Sequence, residues 1–381
     1  MKWKILHIII AVSLMVTGCT DSADEHSDNE KSRQEHELRL TMGMPQLQNA
    51  TRADGGLPDG FTEYNYSEAK APIDQIVGFF VPKESGSSTS YYTCHFIYEE
   101  GSNDVWRTKA YLQDGGYFFY GYMPNVSASS VNVVPTKENN VQTGATITLN
   151  GLNAAMPDDI SVIEGVKSYQ TGSSLPDMSY GIGTFDYTAG DHSPDNFYVL
   201  ASHIYAGLEI NMKLDATYAN LRKIKLRSIS LTPYVKKGET YKVAEKINAT
   251  ITITRGGVPE SDPKTAVSVA FTTSSETTTS SPAVLYGVEG KELTTTGEEF
   301  LACLCPNLPS TTKYVMETHY DVYDKEDNLI RENQSAQNTL TTLPQLTRGT
   351  KHVVNITVNP TYLYVLSDPD LDNPTFTISP P

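Results

Sequence analysis

Apolar residues recur at every second position along much of this chain, and that period admits one kind of secondary structure. Ile247, Ala249, Ile251 and Ile253 interleave with Asn248, Thr250, Thr252 and Thr254, and Leu208, Ile210, Met212 and Leu214 interleave with Glu209, Asn211 and Lys213. Tyr314, Met316, Thr318, Tyr320 and Val322 make a third such face, closed by the turn-forming run Asp324-Lys325-Glu326-Asp327-Asn328. Successive side chains of a strand point to opposite faces, so the pattern predicts strands with one face on a core. Along Ile224, Leu226, Ile229 and Leu231 the phase slips by one residue, which predicts a β-bulge. With 23 tyrosines and plentiful threonine, the chain reads as all-β.

In the first half, residues 76–81, 91–98 and 106–112 have strand character. Asp114-Gly115-Gly116 predicts a hairpin turn into residues 117–123, which are aromatic on both faces and therefore expected to be central in a sheet. Residues 214–222 have room for a short helical turn, and the Thr/Ser-rich stretch 272–281 reads as a loop. The polar, turn-rich stretch 188–196 is the best linker. The length exceeds what one core usually serves, so two β-sandwich domains are expected, at 53–190 and 191–359.

The beginning of the chain bears on compartment. Lys2 and Lys4 precede an apolar run over 5–16, long enough for a secretory signal and too short to span a bilayer. It closes in Thr17-Gly18-Cys19, which resembles the bacterial lipobox. On that reading 1–18 is a lipoprotein signal peptide and Cys19 carries the acyl chains, each buried methylene adding about 0.8 kcal/mol of membrane affinity. Residues 19–37 are acidic and lack core formers, as expected of a disordered tether. The formal charge of −16 and pI near 4.9 argue against nucleic acid, whose phosphates would be repelled. Cys94, Cys303 and Cys305 are read as small apolar fillers.

The far end carries the least ordinary pattern. Residues 352–358 alternate conventionally, with Val354, Ile356 and Val358 on one face. Beyond Pro360, Tyr362 and Tyr364 fall on one face and Leu363 and Val365 on the other, followed by Leu366 and, later, Phe376 and Ile378. A segment apolar on both faces needs a host, either its own domain or another subunit. Asp368, Asp370 and Asp372 have the spacing of a calcium loop, but Asn373 stands where that loop needs glycine and Pro369 intrudes. They are read as a solvated bend between two strand pieces, and no metal, cofactor or catalytic residue is assigned. His95, His203, His319 and His352 fall singly in strand-like stretches, and no nucleophile, zinc or phosphate-loop motif is present in the sequence.

Several stretches together resemble the fimbrillin family, the lipoprotein-precursor pilins of type V pili. They are Trp106 followed by Tyr117-Phe118-Phe119-Tyr120-Gly121-Tyr122-Met123-Pro124; Asp177-Met178-Ser179-Tyr180-Gly181; Ser202-His203-Ile204-Tyr205-Ala206-Gly207-Leu208; and the ending around 361–374. The resemblance spans nearly the whole chain through loosely spaced motifs. It implies two tandem transthyretin-like β-sandwich domains, a cell outer membrane lipoprotein precursor and a surface fimbrium built from pilin subunits. It further implies that an arginine-specific protease removes the lipidated end with a first strand, and that the vacated groove takes a donor strand from another subunit.

The residues here permit that scheme. Leu38, Leu40 and Met42 alternate in a short candidate first strand within 38–52, and Arg52-Ala53 is a cleavable bond beyond it. Arg39 lies inside the candidate strand, and cleavage at Arg33 would leave the strand attached. The donor segment 360–381 would contribute Tyr362, Leu363, Tyr364, Val365, Leu366, Phe376 and Ile378. The rival reading is a surface glycan-binding lipoprotein, in which Tyr91, Tyr92, Tyr98, Tyr117 and Tyr122 form an exposed stacking platform.

Overall fold

The computed structural model describes residues 34–45, 61–69, 72–83, 91–126, 128–138, 141–169, 187–189, 196–254, 267–275, 277–340, 343, 345–361 and 370–379. The described strands of the first half are β1 (Gln34–Pro45), β2 (Phe61–Glu63), β3 (Gln75–Pro82), β4 (Tyr92–Tyr98), β5 (Trp106–Leu112), β6 (Gly115–Met123), β7 (Ser130–Glu138), β8 (Val141–Leu152), β9 (Ala155–Met156), β10 (Ser161–Tyr169), β11 (Tyr187–Ala189) and β12 (Asn196–His203). Then come β13 (Ala206–Leu214), the single helical turn α1 (Ala216–Ala219), β14 (Lys223–Lys237), β15 (Thr240–Val243), β16 (Ile247–Thr254) and β17 (Val267–Thr273). The remainder are β18 (Ala283–Val284), β19 (Glu298–Leu304), β20 (Lys313–Tyr323), β21 (Leu329–Leu340), β22 (Lys351–Thr361) and β23 (Asp370–Ser379). The protein is all-β. Asp215 caps α1 by accepting from the Thr217 and Tyr218 amides, which satisfies two of the donors a helix start leaves free.

The first sheet runs β10-β12-β1-β5-β4-β3-β6-β11. It closes on itself where Ser161 and Val162 of β10 pair with Met123 and Tyr122 of β6. Its interior holds Leu38, Leu40, Phe80, Phe96, Trp106, Phe119 and Phe197. Phe80 and Phe119 pack tilted with centroids 4.9 Å apart, Phe96 meets Phe119 edge-on at 5.8 Å, and Phe119 stacks on Phe197 at 5.5 Å. Gly78 makes room for them: a Cβ there would sit 2.6 Å from the Phe119 ring.

A second layer, β17-β16-β8-β7, covers the outside of β3 and β6. Ile147, Leu149 and Ile251 meet Val77, Phe79, Tyr120 and Tyr122 there. Strands β3 and β6 are thus buried on both faces, as their unbroken apolar character requires. The last part of the chain is a sandwich of β23-β22-β13-β19-β9 against β15-β14-β20-β21, with β18 alongside β14. The bulge expected in β14 falls between Leu226 and Ser228.

Two expectations need correction. Asp114-Gly115-Gly116 does not close a hairpin, because β5 and β6 are not neighbours. The other edge of β5 is already taken by β1, so the chain crosses over to pair β6 with β3. The division at 190/191 also falls inside the first sheet, since β12 pairs with both β1 and β10. The crossing from closed sheet to sandwich comes between β12 and β13. Even then the halves are interleaved, because β16 of the second half pairs with β8 of the first.

Candidate functional site

Strand β1 sits inside the closed sheet, not on its rim. Residues Gln34 to Leu40 pair antiparallel with β5, Arg39 to Gly43 pair parallel with β12, and Gly43 to Pro45 pair antiparallel with β2. The strand starts before the sequence pattern indicates, because β5 supplies ladder partners to residues 34–37 whatever their polarity. Leu38 and Leu40 are fully buried and Met42 is 3% exposed, all pointing into the ring-rich interior. Outside, Glu37 lies between Arg39, at 3.4 Å, and Arg107, at 3.3 Å, and Arg107 also meets Glu99 at 2.7 Å. Such exposed pairs contribute about 0–1 kcal/mol each, so apolar burial and the ladder hold β1.

Strand β23 is seated differently. Among the described residues it has one sheet neighbour, β22, with Val358 opposite Phe376 and Ile356 opposite Ile378. Phe376 is buried with its ring centroid 5.0 Å from that of Tyr320, and Ile378 is partly buried. Asn338 Nδ2 donates to the Phe376 carbonyl at 2.7 Å. Arg222 donates from Nε and Nη2 to Asp372 Oδ1 at 3.2 and 3.0 Å. Asp370 is therefore paired with Thr361 of β22 instead of lying in a solvated bend, whereas Asp372 falls in the irregular stretch between that pair and the pairing of Asn359 with Thr375, where Arg222 holds its carboxylate. No local sequence signal joins residues 222 and 372.

Cys19, Arg33, Arg52, Ala53, Tyr362, Leu363, Tyr364, Val365, Leu366 and Asp368 lie outside the described residues. Arg39 is inside β1, as the sequence indicates. The five tyrosines of the stacking-platform reading do not form one patch. Tyr117 and Tyr122 are buried, and they serve different cores: Tyr92, Tyr98 and Tyr117 pack on the interior of the closed sheet, Tyr91 and Tyr122 on its covered outer face. Alternation along β6 sends its rings to opposite sides.

A cavity of about 850 Å³ lies where the closed sheet meets the sandwich. His203 Nδ1 contacts Asp159 Oδ2, which also accepts from Ser161 Oγ at 3.0 Å. Serine and carboxylate converge on the same side of the imidazole, so the trio lacks the relay geometry in which one ring nitrogen faces each. Burial raises the Asp158 pKa against the opposing hydrogen bond from the Tyr286 hydroxyl at 2.8 Å. The free thiols Cys303 and Cys305 are buried fillers; burial pushes Cys305 up to about 12, leaving it un-ionised and inert at neutral pH. Cys94 departs from the filler expectation, being buried and disulfide-bonded. Among the described residues no group of three or more His, Cys, Asp or Glu is placed to hold a metal ion, and no helix is long and apolar enough to cross a membrane.

No protein-family model matches the chain, and no curated protein does. Solved structures similar to it include a "putative cell adhesion protein" from Bacteroides fragilis, 8% identical over 90% of this chain and 97% of that one, at a TM-score of 0.42. Another "putative cell adhesion protein", from Bacteroides uniformis, is 12% identical over 92% and 99% of the two chains at 0.36. A fimbrial protein from Bacteroides vulgatus is 14% identical over 81% and 92% at 0.30. TM-scores this low do not establish a common fold, which rests on the chain's own sheet pairings.

Proposed function

We propose that this chain is a structural pilin, a non-enzymatic subunit of a surface fimbrium used in adhesion. It is exported as an outer-membrane lipoprotein on Cys19, trimmed at Arg52-Ala53, and polymerised by strand exchange with other pilin subunits. The observation that carries this reading is the place of β1: Leu38, Leu40 and Met42 are buried between β5 and β12, two strands that lie beyond the proposed cut. Removing β1 leaves a slot with an apolar floor and two unpaired ladders, a strong demand for another strand. The tail segment 360–381 supplies apolar side chains in strand alternation. Burying four or five of them gains about 8–12 kcal/mol gross, less about 1–2 kcal/mol for each residue ordered.

Deleting residues 361–381 should abolish polymer ladders on non-reducing gels; undiminished ladders would remove the donor role. Arg52→Ala should leave a full-length, lipid-tethered, unpolymerised precursor, and the first residue of sheared filaments should be Ala53. The glycan-platform reading gains no support, because its rings are divided between two cores.

A further inference from the structure

Strand β2 has its backbone and its side chains committed to different partners. Among the described residues its ladder pairs only with β1: Gly43 opposite Glu63, Met44 opposite Thr62, Pro45 opposite Phe61, with the Tyr64 amide donating to the Met42 carbonyl at 3.1 Å. Gly43 is also paired with Leu200 of β12, so β2 lies on the opposite side of β1, the side that β5 occupies as far as Leu40. The slot around β1 therefore has β12 as one wall, and β5 followed by β2 as the other.

The anchors of β2 are elsewhere. Phe61 is 1% exposed and packs on Tyr198 and Leu200 of β12. The Tyr64 ring lies 5.6 Å from Trp106, and its hydroxyl accepts from the Ile73 amide at 3.0 Å. Tyr66 stacks on Tyr98 with centroids 3.6 Å apart, and its amide donates to Asp104 Oδ1 at 3.1 Å. None of these partners belongs to β1, and all lie beyond Arg52. When β1 departs, β2 loses its ladder and keeps these anchors.

We propose that β2 is a preformed end wall of the acceptor slot, whose Thr62 and Tyr64 amides hydrogen-bond the incoming strand from a second copy of this chain. Antiparallel hydrogen bonds repeat every second residue, so the Thr62 amide faces the slot as Tyr64 does. The inference rests on the strand-exchange reading and adds a stretch of recognition beyond β5.

Hydrogen exchange read by mass spectrometry on the full-length precursor, the trimmed monomer stripped of its β1 peptide in urea and refolded, and the polymer tests it. The expected result is slow exchange at Thr62 and Tyr64 in precursor and polymer, at least tenfold faster in the trimmed monomer. Renewed protection of β5 at Thr108–Leu112 with Thr62 and Tyr64 still fast in the polymer would overturn the role of β2 alone. Failure of β5 to regain protection would overturn strand exchange and this inference together. As a second measurement, Thr62→Pro removes one amide and keeps the Phe61, Tyr64 and Tyr66 anchors. In trimmed protein stripped of its β1 peptide it should weaken binding of a synthetic 360–381 peptide at least tenfold, and unchanged binding would refute the proposal.

Discussion

Strands β1 and β23 both belong to the proposed exchange, yet the fold holds them in opposite ways. Strand β1 is enclosed, with ladder partners on both sides and three large side chains in the core. Strand β23 lies at a sheet edge with one ladder partner, one buried ring and a half-buried ion pair. The strand proposed to be discarded is thus the costly one to remove, and the strand proposed to move is the cheaper one to free. Cutting the chain cannot by itself empty the slot; an incoming strand must replace what β1 contributes. Slow, templated exchange follows from that asymmetry.

The largest effect should come from losing β1 whole. Three buried aliphatic side chains alone contribute about 5–9 kcal/mol, so a chain clipped at Arg52 should retain the β1 peptide in native mass spectra until donor peptide is added. Spontaneous loss of the peptide would break the comparison. Next, Leu40→Ala should cost about 2–5 kcal/mol in urea unfolding of the precursor, through the void left beside Trp106 and Phe197. Phe376→Ala should cost less than the roughly 3–5 kcal/mol of a core phenylalanine, because β23 can detach without unfolding the sandwich. Its signature is faster amide exchange along β22 with little change in the urea midpoint. If it matched Leu40→Ala in global cost, β23 would belong to the cooperative core. Smallest of all, Arg222→Ala should cost about 0.2–1 kcal/mol, and less in high salt, because its partner Asp372 is only partly buried.

Much of the fold was legible residue by residue. The faces of β13, β16 and β20 follow their alternation, the bulge in β14 falls at the phase slip, and β6 is central as its two aromatic faces require. Leu38, Leu40 and Met42 were readable as one buried face from three alternating residues. What failed depended on neighbours. Asp114-Gly115-Gly116 has the chemistry of a hairpin turn, but β1, about seventy residues earlier, occupies the edge a hairpin would use. The tyrosines suggested a platform because sequence does not say which core receives each ring. The link from Arg222 to Asp372 and the meeting of Asp159 with His203 leave no local signal, since their residues are brought together only by the sheets.

Which residues are extended, and which side of each strand is apolar, can be read from the order of residues alone, because side chains of a strand alternate with a period of two whatever lies beside it. Which strands are neighbours depends on the assembled fold. Backbone amides and carbonyls offer the same ladder to any partner, so pairing is settled by which edges remain free and which apolar faces still need covering. The position of β1 is the consequence that matters most: an alternating stretch near residue 40 could be an edge or a centre, and here it is the centre.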